Sequence, residues 1–147
     1  MKKVLDRIYH SPTDLSDFQR CNYHIINDLK NIKKPLPARE ITETSAAYIK
    51  KGLELELKYL NNLKDNKFKV INIDDLQDVN TIDATKEKLS KEYDYIYQSH
   101  LEYEFWRGKP DFLVKVEGKS SLGDFHYEPI DIKLSPEPKT KHITQVL

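Results

Sequence analysis

The stretch that decides the fold is residues 95–134, YIYQSHLEYEFWRGKPDFLVKVEGKSSLGDFHYEPIDIKL. Three runs in it, Tyr95–Tyr103, Phe105–Val116 and Phe125–Leu134, are rich in β-branched and aromatic residues and read as strands. Gly108 with Pro110 interrupts the second run, and Gly118 to Gly123 forms a turn-rich connection to the third. In the last run Asp131 and Lys133 stand two apart, so they share one face of a strand, while Ile130, Ile132 and Leu134 take the core face. Asp111 opens DFLVKV directly after the Gly108–Pro110 kink. If the second and third strands pair through the connection, Asp111 and Asp131 come close. Two carboxylates held together repel unless a cation lies between them. Mg²⁺ suits such a place, being held by one or two carboxylates with waters and phosphate oxygens. Lys133 on the same face would orient or deprotonate an attacking water, or stabilise charge on a phosphate.

Upstream of this strand-rich half the chain reads as helical. Ser11-Pro12-Thr13-Asp14 is a helix start, with Ser11 as cap, Pro12 at the first helical position and Asp14 where a capping-box acid helps. The helix is expected to run to about Lys30, before Pro35 and Pro37 break the chain. A second helix is expected over about Glu43–Leu63, with an apolar stripe of Ile49, Leu53, Leu57, Leu60 and Leu63. At ~100° per residue, Glu56 falls inside that stripe and Glu54 far off it. A carboxylate on the buried face must meet a cation, a metal or strong donors; an ion pair with a core lysine would serve as well as a metal. FKVINI at 68–73 reads as a strand, Ala84–Leu89 as a short helix, and a last helix starts near Thr140. The order predicts one α/β or α+β domain over residues 1–147, a sheet with helices packed on it.

Composition excludes several classes. With 38% apolar and 33% charged residues the chain is too rich in Ile, Leu, Tyr and Phe to be disordered. No segment approaches the ~18 uninterrupted apolar residues of a membrane span, and no apolar core follows the two N-terminal lysines, so neither membrane nor signal peptide is expected and the cytoplasm is the simplest compartment. The single cysteine, Cys21, excludes an internal disulfide framework and reads as a buried structural thiol. Twenty-four basic and 24 acidic side chains cancel, so a nucleic-acid partner needs local clustering rather than bulk charge. Lys30, Lys33, Lys34 and Arg39 form one basic stretch and Lys133, Lys139 and Lys141 a sparser one, while 74–83 is acidic; solvated surface is the default reading of all three. The five histidines lack zinc-ligand spacing, and the four glycines form no phosphate loop. A nucleophile elbow is also missing.

Asp-x-Lys alone is weak in a chain with this much Asp and Lys. Its weight comes from the order: a helical acid, a strand Asp after a kink, then Asp-x-Lys in an apolar strand. That order resembles the RecB-like branch of the PD-(D/E)xK nucleases. SPTDLSDFQRC (11–21) resembles the family's opening, GLELELKYL (52–60) its helix with the motif acid, 95–117 the strand pair leading to the first motif Asp, YEPIDIKL (127–134) the Asp-x-Lys strand, and TQVL (144–147) the start of its Gln-containing helix. The resemblance implies a restriction-endonuclease-like core, a mixed central sheet flanked by helices. It implies a Mg²⁺- or Mn²⁺-dependent deoxyribonuclease acting in repair, recombination or defence on single-stranded DNA or duplex ends. Asp111, Asp131, Glu56 and the backbone carbonyl of Ile132 would hold the metal and Lys133 would be the catalytic lysine, with Gln145 supporting the site or the DNA. Arg107 and Lys109, beside the kink, could touch a phosphate backbone or be solvated turn residues. A non-catalytic nucleic-acid-binding module on the same fold is the alternative. Two departures stand out: Leu55 replaces the histidine many relatives carry before the Glu, and Cys21 precedes Asn22 rather than Pro, with no partner cysteine for an iron–sulfur cluster. The final KTKHITQVL carries no helix stop, which gives the expectation of an N-terminal fragment with further C-terminal domains.

Overall fold

The computed structural model describes residues 1–37 and 40–146, so Arg39 of the basic stretch and Leu147 lie outside the described residues. In chain order the elements are β1 (Lys2–Val4), β2 (Arg7–Tyr9), α1 (Pro12–Arg20), α2 (Asn22–Lys33), α3 (Glu43–Asp65), β3 (Val70–Asn72), α4 (Thr81–Leu89), β4 (Tyr95–Tyr97), β5 (Leu101–Tyr103), β6 (Trp106–Gly108), β7 (Phe112–Ser120), β8 (Gly123–Ile130) and α5 (Thr140–Val146). The central sheet has four strands in the order β3-β4-β7-β8. β3 and β4 run parallel, and the β4–β7 and β7–β8 pairs are antiparallel. The chain is therefore mixed α/β, with a mixed-orientation sheet flanked by helices.

Strand alternation sorts the sheet's side chains onto two faces. On one, Tyr97 and Phe112 pack with Val70, Tyr95 and Ile130 against Leu60 and Leu63 of α3. Tyr59 of α3 meets Phe112 edge-on with ring centroids 5.0 Å apart, a favoured aromatic geometry. On the other face Ile73, Ile96 and Leu113 pack with Ile71, Tyr127 and Leu89 of α4. α1 and α5 pack on each other away from this core. The Ser16 hydroxyl donates to the Lys141 carbonyl at 3.2 Å, and the Thr144 hydroxyl to Gln19 Oε1 at 3.0 Å. Ser11 and Asp14 form the capping box that the sequence predicts for α1.

Several boundaries differ from the sequence reading, each for a local reason. The first helix is two helices, because Cys21 is extended (φ −165, ψ 117) between α1 and α2; its thiol is exposed rather than buried. On α3 the stripe is displaced: Ile49, Leu53 and Leu57 are 55%, 50% and 49% exposed, and the inward side carries Gly52, Leu55, Glu56, Tyr59, Leu60 and Leu63. Only the C-terminal half of α3 reaches the sheet, and residues 43–51 are exposed. The run 95–103 breaks at Gln98 (φ 54) into β4 and β5, and 105–116 breaks at Pro110 into β6 and β7. β5 and β6 form a separate hairpin. β8 ends at Ile130, so Asp131, Lys133 and Leu134 lie beyond the strand, and Leu134 is 46% exposed. The ladder stops because β7 begins only at Phe112 and the Ile132 amide is taken by the Asp111 side chain at 2.6 Å. At Gly118 (φ +154) a Cβ would meet the His126 ring at 2.9 Å, which is why the register shift before the β7–β8 turn falls at a glycine. Among the described residues, no helix is long and apolar enough to cross a membrane.

These depths separate two leucines on one helix. Leu60→Ala removes a side chain that is 5% exposed and is expected to cost about 2–5 kcal/mol. Leu57→Ala, at a site 49% exposed, should stay within about 0.5 kcal/mol. Urea unfolding followed by circular dichroism measures both; equal losses would contradict this placement of α3.

Candidate functional site

The β7–β8 register builds the site. Its last pair at this end is Phe112↔Ile130, so one step outward Asp111 and Asp131 face each other across the ends of two strands. The Ile132 amide donates to Asp111 Oδ2 at 2.6 Å, which fixes that carboxylate between the two segments. Burial pushes the Asp111 pKa up, the Ile132 amide works against this, and Asp131 and the charge of Glu56 push it further, to about 7. Asp131 Oδ2 is buried and has no hydrogen-bond donor directed at it. Lys133 Nζ lies 2.6 Å from that oxygen, off hydrogen-bonding angles, so the two meet as a charge contact.

Glu56 reaches the same cluster from α3. Its Oε2 accepts from Gln98 Nε2 at 3.0 Å and from the Tyr97 hydroxyl at 3.3 Å. Gln98 occupies the left-handed kink that ends β4, and its amide donates to the Asp111 carbonyl at 2.9 Å. One kinked residue thus joins the helical acid to the strand acid. Burial raises the Tyr97 pKa, its contact with Gln98 opposes this, and the charges of Glu56 and Asp111 add to the rise. Neither Tyr97 nor Gln98 was singled out from sequence. The one available signal was a polar residue interrupting an aromatic run, YIYQS.

A cavity of about 810 Å³ opens beside the cluster, and Asp111, Asp131, Lys133, Arg107, Lys109 and Gln145 all line it. Glu56 is not among its lining residues and stands behind Tyr97 and Gln98. Ile132, next in the chain after Asp131, has its amide on Asp111 and its side chain against the sheet core. Gln145 of α5 donates to the Thr13 hydroxyl at 3.4 Å. Both cations beside the kink have acidic partners: Arg107 binds Glu102 at 2.6 Å and covers the Tyr9 ring at 3.9 Å, and Lys109 binds Asp74 at 2.9 Å. Burial works against the ionised form of Asp74, but Lys109 and His100 outweigh it and hold the carboxyl below its usual range. Asp74 and His100, 3.4 Å apart, were also not singled out from sequence.

Among the described residues, no three His, Cys, Asp or Glu side chains are already arranged as a metal-binding group. Two observations nonetheless fit a hard divalent cation between the aspartates. Asp111 has a carboxyl driven toward its neutral form first by burial and then by Asp131 and Glu56, and Asp131 has a buried oxygen lacking a directed donor. Oxygen donors of this kind are what Mg²⁺ and Mn²⁺ take. No protein family, curated protein or solved structure matches the chain.

The raised Asp111 pKa has a thermodynamic consequence with a definite sign. The folded chain keeps a proton at pH values where the unfolded chain, near 3.8, has lost it. Stability from this group is therefore fully present below about 4 and is lost as pH rises through about 7. Asp111→Asn keeps an acceptor for the Ile132 amide and removes this titration. In chelator, the variant should gain on the native chain in urea midpoint from pH 4 to pH 7.5; a constant difference across that range would contradict the raised Asp111 pKa.

Proposed function

We propose that this chain is a metal-dependent nuclease that hydrolyses DNA phosphodiester bonds, built on a restriction-endonuclease-like core. The observation that carries the reading is the facing pair Asp111 and Asp131, with Lys133 on Asp131, at the wall of one cavity. Asp111, 20 residues upstream, is thereby a neighbour of the Asp131–Lys133 pair. Glu56 supports the pair from α3 through Tyr97 and Gln98. Mg²⁺ or Mn²⁺ bound between the aspartates would supply positive charge to a phosphate and make water easier to deprotonate. The chain's own groups do the rest. Asp111 and Asp131 set where that charge sits. Lys133, with three N–H donors, can leave Asp131 to hold an attacking water or a non-bridging phosphate oxygen. Arg107 and Lys109 line the approach as cations for the flanking phosphates. A role in DNA repair, recombination or defence inside the cytoplasm accords with this chemistry.

A non-catalytic nucleic-acid-binding module is the second reading. The observation favouring it is that Glu56 Oε2 is occupied by Gln98 and Tyr97 and does not line the cavity, leaving Asp111 and Asp131 as the acids of the cluster that do.

Asp131→Ala should reduce Mn²⁺-dependent cleavage of labelled DNA by on the order of 10²-fold or more, the scale of losing a directed electrostatic partner of the transition state. Its circular dichroism should stay native. Lys133→Met should lower turnover while leaving Mn²⁺ binding by calorimetry in place. Full cleavage by Asp131→Ala would rule out the site. Mn²⁺ binding with no cleavage by the native chain would favour the second reading.

A further inference from the structure

The β5–β6 hairpin leaves its large side chains uncovered. Tyr103 is 73%, Phe105 57% and Trp106 42% exposed. Solvent-facing aromatics clustered on one short hairpin are unusual enough to mark a contact surface. Pairing sets Leu101 opposite Gly108 and Tyr103 opposite Trp106, while Glu102 faces Arg107 between them. Side chains two apart share a face, so Leu101, Gly108, Tyr103 and Trp106 belong to one side of the hairpin. Leu101 and Gly108 line the cavity that holds Asp111 and Asp131. Arg107, on the other face, lines it too, so the cavity borders the open end of the hairpin and the aromatic pair lies two residues further along, toward the tip.

The tip is also held in place. The His10 amide donates to the Phe105 carbonyl and the Arg107 amide to the His10 carbonyl, both at 2.8 Å. The His10 ring lies 5.6 Å from Trp106, and the Arg107 guanidinium is clamped between Glu102 and the Tyr9 ring. A rigid aromatic surface binds at low ordering cost. The cavity it borders is lined by four cations, Lys2, Arg107, Lys109 and Lys133, and two carboxylates, Asp111 and Asp131, while Glu102 and Asp74 pair with Arg107 and Lys109 from outside the lining. Anion-attracting walls beside exposed aromatic faces match a ligand that carries phosphates along one edge and flat bases along the other.

We propose that Tyr103 and Trp106 form a stacking platform for the unpaired bases of single-stranded DNA, whose phosphates enter the adjoining cavity. The choice of DNA rests on the nuclease reading; the stacking rests on the hairpin alone. Bases paired within a duplex have their faces already stacked, so the platform selects unpaired nucleotides.

Trp106 is the single tryptophan of the chain, so its emission reports on the platform directly. The full chain, in chelator to prevent cleavage, is titrated with short oligo(dT), with the same sequence as a duplex, and with oligo(rU) of equal length. Saturable quenching by oligo(dT), weaker by both other probes, is expected. Tyr103→Ala retains the reporter and should weaken oligo(dT) binding roughly tenfold; Phe105→Ala serves as a second variant. Absence of quenching, unchanged affinity in Tyr103→Ala, or a preference for duplex or oligo(rU) overturns the proposal. So does an emission change with protein concentration alone, which would assign the patch to a second copy of the chain. Quenching by oligo(dT) in a chain that never cleaves DNA with Mn²⁺ would defeat the nuclease reading and leave the platform standing. Cleavage without any Trp106 response would do the reverse.

Discussion

The burial of two facing carboxylates at the open end of a hairpin is the constraint around which the site is arranged. Asp111 and Asp131 face each other because Phe112 pairs with Ile130 at the end of the β7–β8 ladder. That register is fixed by alternation. Phe112 and Ile130 must reach the α3 side of the sheet while Leu113 reaches the α4 side, and a slip of one residue would turn every side chain over. Core packing therefore dictates where two like charges meet. The fold tolerates the encounter by keeping Asp111 toward its neutral form, by binding it to the Ile132 amide, and by setting Lys133 against Asp131.

The surroundings extend the same logic. Gln98 sits in a strained left-handed conformation, and its two contacts, to Glu56 and to the Asp111 carbonyl, connect the helix acid to the strand acid. Backbone strain of this kind persists where neighbouring structure over-determines it, and it gathers at functional sites. The chain has no net charge, yet four cations line the cavity beside Asp111 and Asp131, two of them held by Glu102 and Asp74 outside the lining. Local placement rather than bulk composition supplies attraction for an anion.

Much of this was legible in the sequence, and what was not has identifiable causes. The β7–β8 pairing could be read because alternation, the Gly118–Gly123 turn and the Gly108–Pro110 kink all agree. Glu56 on the inward side of α3 is legible too, although only part of the apolar stripe around it is buried. Ile49, Leu53 and Leu57 have helical spacing but project beyond the sheet's edge, where periodicity cannot tell a buried face from an exposed one. The expected strand through Lys133 fails because a strand lasts only as long as its neighbour, and β7 starts at Phe112. The roles of Gln98 and Tyr97, and the pairing of Lys109 and His100 with Asp74, are not legible because they depend on contacts across 26 to 42 residues of chain. No local pattern records such distances.

The central claim is that a divalent cation belongs between the two facing aspartates. Anomalous scattering from crystals of the full chain grown with Mn²⁺ tests it most directly. The account predicts a manganese peak within coordination distance of carboxylate oxygens from both Asp111 and Asp131, with Lys133 displaced from Asp131. Manganese found only elsewhere, with Lys133 still against Asp131, would contradict it.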